Sequence, residues 1–472
     1  MATLEAIEEA KKQREYIQKI KEIITAQDAK RKKPLTACVV TFGCQMNARD
    51  SEKIVGVLTE AGYEIIEDEE QADFIIFNTC SIRENANTRL YGHLGNLKKF
   101  KRKNPDMRIG LCGCMMQEPH VVEKIKKSYP HVDLIFGTHN LYQFAQVLYE
   151  SLLSDELVIE LMDKNPLIVE DLPSVRKFPF KSGVNITFGC NNFCTFCIVP
   201  HVRGREHSRE PRDIVNEIRA LVKDGVKEVM LLGQNVNSYG NDFKDGFSFA
   251  DLLREVDQIE GLERIRYMSP HPKDFTREVL EVMRDSKKIC HQIHMPLQSG
   301  STSLLKRMNR VYSKEQYLEV VRMIREILPD VSLTTDIIVG FPGETEEDFE
   351  DTCDVVREAR YDAAYTFIYS PRVGTPAAKF PDQVPADVSK RRFDYLLHLI
   401  QTISAKESLR FVGTTQKVLV ESVSEQDETL LTGRLDSNLL VHFKGDRSLI
   451  GSMVNVTLKE SKGFYYFGEI EA

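Results

Sequence analysis

Apolar residues along this chain follow two rhythms. Short runs rich in Val, Ile and Phe, closed by glycine or polar residues, alternate with longer stretches in which apolar positions recur at helical spacing. In the first third the short runs are Ala37 to Phe42, Phe74 to Phe77, Arg108 to Leu111 and Leu134 to Phe136. Strands that alternate with helices in this way predict a parallel sheet with crossover helices. A polar linker around 163–181, carrying Pro166, Pro173 and Pro179, precedes a second series. Its predicted strands are Val184 to Phe188, Glu228 to Leu232, Arg264 to Met268, Gln292 to Met295, Ser332 to Val339 and Ala364 to Tyr369. Six such βα units predict a partial (β/α)6 barrel, whose chemistry belongs on the loops at the carboxyl ends of its strands. Beyond Thr414 the helical rhythm stops. Lys417 to Val423, Leu439 to Phe443, Met453 to Leu458 and Phe464 to Phe467 read as strands of a small β-barrel. Ahead of everything, Leu4, Ile7, Ile17, Ile20 and Ile24 mark one face of an appended helix that ends at Lys30 to Pro34. The expected architecture is α/β. It has an appended helix over 1–34, an N-terminal parallel-sheet domain over 35–151, a barrel over 175–411 and a terminal β-barrel over 412–472.

Composition narrows the class. Ten cysteines in 472 residues are too few for a disulfide-stapled secreted domain. No apolar run is long enough to span a bilayer, and the N-terminus lacks an apolar leader segment. The expectation is a soluble, cytoplasmic chain. A net charge of −8 argues against general coating of nucleic acid, which depends on Lys and Arg neutralising phosphates. Local patches remain open to that role: the run Lys98 to Lys103 in the first domain, and Lys417, Arg434, Lys444, Arg447, Lys459 and Lys462 in the terminal barrel. Charge runs are most often solvated helix ends, and the terminal barrel carries about as many acids as bases.

Cysteine spacing changes the picture most. Cys190, Cys194 and Cys197 stand C-x3-C-x2-C directly after the first strand of the second series. A [4Fe–4S] cube normally takes four cysteines, so three leave one iron open to a small molecule. Zinc sites usually pair two separate hooks, and no second hook follows. The spacing is that of radical S-adenosylmethionine (SAM) enzymes. Cys44, Cys80 and Cys114 each lie just past a predicted strand of the first series. Ligand crevices of open α/β sheets lie at that end, so these three could converge there. Cys112, two residues before Cys114, would face the same side of an extended strand, and spacing alone does not choose between them. Cys38, Cys290 and Cys353 read as packing residues.

Laid end to end, the motifs resemble the methylthiotransferase family of radical SAM enzymes. They are Thr41 to Asn47, Asn78-Thr79-Cys80, Gly113-Cys114, the Cys190 loop with its tail Ile198 to Glu206, His294 to Ser301, Asp336 to Glu344 and Ser370 to Ala377. The resemblance implies two [4Fe–4S] clusters: a SAM cluster on Cys190, Cys194 and Cys197, and an auxiliary cluster on Cys44, Cys80 and Cys114, with Cys114 favoured over Cys112. It implies SAM as cofactor, two molecules per turnover: one cleaved to a 5′-deoxyadenosyl radical, the other methylating sulfur held at the auxiliary cluster. The terminal barrel is similar to the family's TRAM domain, which implies RNA binding. Loop identities are most similar to members that methylthiolate carbon 2 of N(6)-dimethylallyladenosine at tRNA position 37. Other members act on threonylcarbamoyl-adenosine in tRNA or on a ribosomal-protein aspartate. An iron–sulfur RNA-binding regulator is the non-enzymatic alternative. Arg203, Gln234, Asn235 and Gly340 are candidate SAM contacts, with Arg203 equally able to meet a tRNA phosphate or form an ion pair. Asp336, inside an apolar strand, needs a partner. A flavodoxin- or ferredoxin-type electron donor and a monomeric chain complete the expectation.

Overall fold

The structure is a computed structural model that describes residues 4–81, 84–164 and 167–471. The first three residues of the appended helix, linker residue Pro166 and the last residue of the terminal barrel lie outside the described residues. The chain divides into two compact units. The first holds residues up to Phe178 together with Gly183–Asn191 and Cys197–Glu217. The second holds Pro179–Ser182, Asn192–Phe196 and everything from Ile218.

The first unit is built on the predicted parallel sheet. In chain order it runs α1 (Leu4–Arg31), β1 (Thr36–Thr41), α2 (Gln45–Glu60), β2 (Glu64–Ile65), β3 (Phe74–Thr79), α3 (Glu84–Lys103), β4 (Arg108–Gly113), α4 (Pro119–Ser128), β5 (Leu134–Phe136), α5 (Phe144–Leu153) and β6 (Val158–Glu160). The sheet order is β2-β1-β3-β4-β5-β6, every pairing parallel. Every residue of β3 is buried, which explains why it reads as an uninterrupted apolar run: helices cover both faces of a parallel sheet. The edge strands β2 and β6 are two and three residues long, too short to carry a period. Helix α1 is an integral part of the core. Ile17, Ile20 and Ile24 are buried with Ile54, Leu58, Phe144 and Leu148, and each such side chain is worth ~1.5–3 kcal/mol when removed from water. Gln13 adds a polar fastening, its side-chain oxygen accepting from the Gln146 N–H at 3.1 Å.

The predicted strand Val184 to Phe188 is in fact two elements. Lys181–Asn185 (β7) ends before Ile186, and Thr187–Phe188 (β8) pairs antiparallel with His207–Ser208 (β9). Arg209 causes the break: its N–H takes the Ile186 carbonyl at 2.9 Å and its guanidinium the Asn185 carbonyl at 2.6 Å. Between β8 and β9 lies α6 (Val199–Val202), and after β9 comes α7 (Pro211–Lys223).

The second unit continues the βα series with β10 (Glu228–Leu232), α8 (Phe249–Asp257), β11 (Arg264–Tyr267), α9 (Arg277–Asp285), β12 (Gln292–His294), α10 (Thr302–Arg307), α11 (Lys314–Ile327), β13 (Ser332–Val339), α12 (Glu346–Ala359), β14 (Ala363–Ile368) and α13 (Ala386–Ser408). Strands β10 and β11 pair in parallel, as do β12, β13 and β14 in that order. Helices α8, α11 and α12 begin with capping boxes at Ser248/Asp251, Ser313/Gln316 and Thr345/Asp348, which satisfy amide donors at the helix starts.

The terminal barrel is closed, with order β15-β16-β17-β19-β18 over Thr415–Val423, Leu430–Leu435, Leu440–Lys444, Met453–Ser461 and Tyr465–Ile470. Strand β16 was not legible in the sequence, because Gly433 and Arg434 interrupt its apolar alternation. Two buried arginines of β11 fasten this barrel to the βα series. Arg264 donates to the carbonyls of Arg434 and Lys417, and Arg266 to those of Asp436 and Leu435. Glu228 of β10 accepts from both guanidiniums at 3.3 and 3.1 Å, so neither charge is buried alone.

Candidate iron–sulfur and cofactor site

Strands β1, β3 and β4 are neighbours, so their carboxyl ends form one edge. Thr79 pairs with Gly113, which sets Cys80 and Cys114, each one residue further on, side by side. Cys44 lies past β1 and caps α2. A Cβ on Gly43 would fall 2.6 Å from the Cys80 Cβ and 2.9 Å from its sulfur, so glycine is what lets these two loops approach. Gly113, with φ of +93°, turns the chain out of the strand and ends its alternation. That corrects the expectation that Cys112 and Cys114 face the same way. Cys112 is sealed in the apolar core with Ile76 and Phe136, whereas Cys114 packs against Ile198 and Val202.

The edge is knitted by polar groups that sequence reasoning treated only as strand-end markers. Asn47 donates to the carbonyls of Phe42 and Thr79 at 2.9 and 2.8 Å, and Asn78 to the Asn47 carbonyl at 2.8 Å. Arg203 points into this network: Nε donates to the Cys114 sulfur at 3.3 Å, and Nη2 to Asn47 Oδ1 at 2.9 Å and Asp50 Oδ2 at 2.8 Å. Arg203 and Asp50 are both buried. Burial pushes the Cys114 thiol up to about 11; the Arg203 charge pulls it down while neighbouring Cys80 and Cys44 push it up again. Soft thiolates beside a fixed cation are a donor set that suits an iron–sulfur cluster. Among the described residues no group of three or more Cys, His, Asp or Glu closes to the spacing of a single metal ion. A cube places its ligands at separate corners and needs them further apart.

Alanine at Gly113 should be among the most damaging small changes in this unit. Its Cβ would meet the Thr79 carbonyl oxygen at 2.3 Å and the Thr79 nitrogen at 2.6 Å, at a positive φ that disfavours any side chain. The expected loss is about 3 kcal/mol or more in chemical denaturation. An unchanged midpoint would mean the strand end is not held as described.

The C-x3-C-x2-C loop is fastened piece by piece. In the first unit the Cys190 N–H donates to the Gly204 carbonyl at 3.1 Å, and Gly189 turns with φ of +75° where a Cβ would lie 2.1 Å from the Arg205 carbonyl oxygen. Cys197 is half-buried. In the second unit the Thr195 N–H takes the Met308 carbonyl at 3.0 Å, and the Asn309 side chain donates to the carbonyls of Asn192 and Phe193. Arg310 stands over Cys194, with Nη1 3.6 Å from its sulfur. Arg310 also faces His271, whose ionisation burial pushes down to about 2, so that this ring is neutral throughout the working range. Neither Arg310 nor His271 was found from the sequence; each lies outside the cysteine loop and only the folded chain brings it there.

The remaining candidates separate. Asn235, at the carboxyl end of β10, donates to Asp274 at 2.7 Å, while its Oδ1 is buried without a hydrogen-bond partner among the described residues. Such an orphan acceptor fits a cofactor donor group. Gln234 precedes it on the same loop. Gly340 has φ of +72°, and a Cβ there would lie 2.3 Å from Ser389 Oγ, so its missing side chain makes room for α13. Asp336 has the partner it required: His294 Nε2 at 3.3 Å. In the basic run, Lys101 is tied to Asp133, and Lys99 and Lys103 lie over the Phe100 ring.

A cysteine-edged parallel sheet and a βα series with a C-x3-C-x2-C loop define a radical SAM protein. Residues 184–356 match the Radical SAM superfamily, 36–137 the Uncharacterized protein family UPF0004, and 409–470 the TRAM domain. The fold resembles that of TsrM, a radical SAM methyltransferase from Kitasatospora setae, with a TM-score of 0.52 at 13% identity over 73% of this chain and 75% of that one. A tRNA-2-methylthio-N(6)-dimethylallyladenosine synthase from Lachnoclostridium phytofermentans is 60% identical over 93% of this chain and 96% of its own length. One from Clostridioides difficile is 50% identical over 98% and 96%. The chain belongs to the tRNA-2-methylthio-N(6)-dimethylallyladenosine synthase family. Radical SAM chemistry uses a [4Fe–4S] cluster and SAM. Among the described residues no helix is long and apolar enough to cross a membrane.

Proposed function

We propose that this chain attaches a methylthio group to carbon 2 of N(6)-dimethylallyladenosine at tRNA position 37, beside the anticodon. Cys190, Cys194 and Cys197 hold one [4Fe–4S] cluster and Cys44, Cys80 and Cys114 a second, each leaving one iron without a cysteine. When bound, the clusters and two SAM molecules per turnover would supply the carbon radical that an unactivated aromatic C–H bond demands, and would hold and methylate the sulfur that replaces its hydrogen. The observation that supports the reading most is the Thr79–Gly113 pairing, which aligns Cys80 and Cys114 at the edge where Cys44 follows β1 at the start of α2.

The protein's own groups bind, orient and neutralise. Arg203 holds the Cys114 sulfur and offsets its charge while paired with Asp50, which favours the ion pair among its expected roles over the SAM or phosphate contact. Arg310 does the same for Cys194. Asn235 and Gln234 offer hydrogen-bonding groups to SAM, and the turn at Gly340 shapes the loop after β13. Lys444 and Arg447, both exposed on the terminal barrel, are the candidate bases for tRNA phosphate, Arg447 lying 3.9 Å from Glu428. Arg434 is committed to Glu421, at 3.0 and 3.1 Å. A flavodoxin- or ferredoxin-type donor, a monomeric state and a cytoplasmic location belong to the same proposal.

Anaerobic reconstitution should load about eight irons per chain by this ligand arithmetic. Nucleoside mass analysis of tRNA from a strain lacking the gene should show N(6)-dimethylallyladenosine without its methylthio group. Saturation near four irons would remove the second cluster, and methylthiolated nucleoside persisting in that strain would remove the substrate assignment.

A further inference from the structure

Parallel sheets are normally covered on both faces. The sheet of β12, β13 and β14 keeps that rule on one side along β12 and β13, where Ile293, Leu333, Thr335, Ile337 and Val339 are buried, and only Ile368 at the end of β14 is exposed among the apolar residues of that side. On the other side it breaks it. The register sets His294 beside Thr334, Asp336 beside Tyr365 and Ile338 beside Phe367. Tyr365 and Phe367, two residues apart on one strand and therefore on one face, are 57% and 50% exposed. Ile338 packs on the same apolar cluster as Phe196 of the cysteine loop, which ties this face to that loop within the second unit. A single polar pair interrupts it. His294 reaches Thr334 Oγ1 at 3.0 Å and Asp336 Oδ2 at 3.3 Å, and its ring meets that of Tyr365 edge-on at 5.9 Å.

We infer that this face is the floor on which the modified adenine lies, with Tyr365 and Phe367 as the residues that select the prenylated base. The inference rests on the tRNA reading given above and adds to it the basis of substrate choice. Flipped or single-stranded bases are held by stacking on aromatic rings. A dimethylallyl group adds a branched five-carbon tail with no polar atom, which matches the surface offered by Phe367 and Ile338. A threonylcarbamoyl group carries a carboxylate, which on this floor would meet the carboxylate of Asp336, and His294 beside it is already engaged with Asp336 and Thr334. The face therefore discriminates between two substrates that share the same adenine.

The test compares anticodon stem-loops bearing plain adenosine, N(6)-dimethylallyladenosine or threonylcarbamoyl-adenosine at position 37, bound anaerobically to the cluster-loaded protein. Wild type should prefer the prenylated stem-loop over the plain one by about tenfold or more, since a buried apolar tail of that size supports such a ratio. The threonylcarbamoyl stem-loop should bind no better than the plain one. In Tyr365→Ala/Phe367→Ala the preference should fall to within about twofold of unity by the same reasoning, whereas Phe367→Leu should keep most of it. Both rings are exposed, so melting temperature and iron content should stay at wild-type values and serve as folding controls. A double variant that retains the wild-type ratio, or tighter binding of the threonylcarbamoyl stem-loop, overturns the inference. A wild type that fails to methylthiolate the prenylated stem-loop overturns the tRNA reading instead, and the two failures are distinct.

Discussion

Alanine at Cys44, Cys80 and Cys114 together should abolish methylthiolated product while SAM cleavage continues. The three thiols come from the carboxyl ends of β1, β3 and β4, all within the first unit. The anchors of Cys194, by contrast, are the Arg307 to Arg310 segment and its neighbours in the second unit, which the substitutions leave untouched. Iron should fall to about half, since one cube remains on its three ligands. Chromatography with mass detection should find methionine and 5′-deoxyadenosine but no methylthio nucleoside. If SAM cleavage disappears with the product, the two triads do not work independently and the assignment of roles is wrong. Cys112→Ala is the internal control: Cys112 is fully buried among apolar side chains, so its loss should cost about 1 kcal/mol and leave both clusters loaded.

The second large effect is expected at Arg203. Its guanidinium is buried against the equally buried Asp50, and removing one partner of such a pair leaves the other charge stranded, at about 3–5 kcal/mol. Arg203→Met should therefore lower the denaturation midpoint strongly and reduce iron loading at the N-terminal triad. Asp50→Asn added to it should recover much of the stability, because the stranded carboxylate is gone. It should not recover the iron, because Cys114 still lacks its cation. Recovery of both would make Arg203 a purely structural partner of Asp50.

Much of this was legible in the chain. The apolar run Phe74 to Phe77 announced a central parallel strand, and the places of Cys44, Cys80 and Cys114 just past their strands announced an edge. The illegible parts have physical reasons. Cys112 and Cys114 looked equivalent because the reading assumed an extended chain through Gly113, and only its positive φ separates them. Helix α1 looked appended because its three buried isoleucines meet partners as far away as Phe144 and Leu148, a distance no local pattern reports. Arg310 and Asn309 reach the C-x3-C-x2-C loop from more than a hundred residues downstream, with His271 behind Arg310, and nothing in their own neighbourhoods marks them. The exposed aromatics of β14 read as an ordinary strand, since exposure is a property of the fold.

The seam made by Arg264 and Arg266 has a consequence for how the terminal barrel can change over time. Both arginines grip main-chain carbonyls, at Lys417, Arg434, Leu435 and Asp436, and a carbonyl is the same whatever side chain it carries. Two side chains add to the grip, Asp436 on Arg264 at 2.7 Å and Lys417 on Glu263 at 3.2 Å, so the joint reads the path of the backbone and two charges along it. The other outward-facing residues of that barrel are therefore free to change while the joint stays intact. A barrel of the same backbone path grafted from a distant protein should seat here provided it keeps the charges of Lys417 and Asp436.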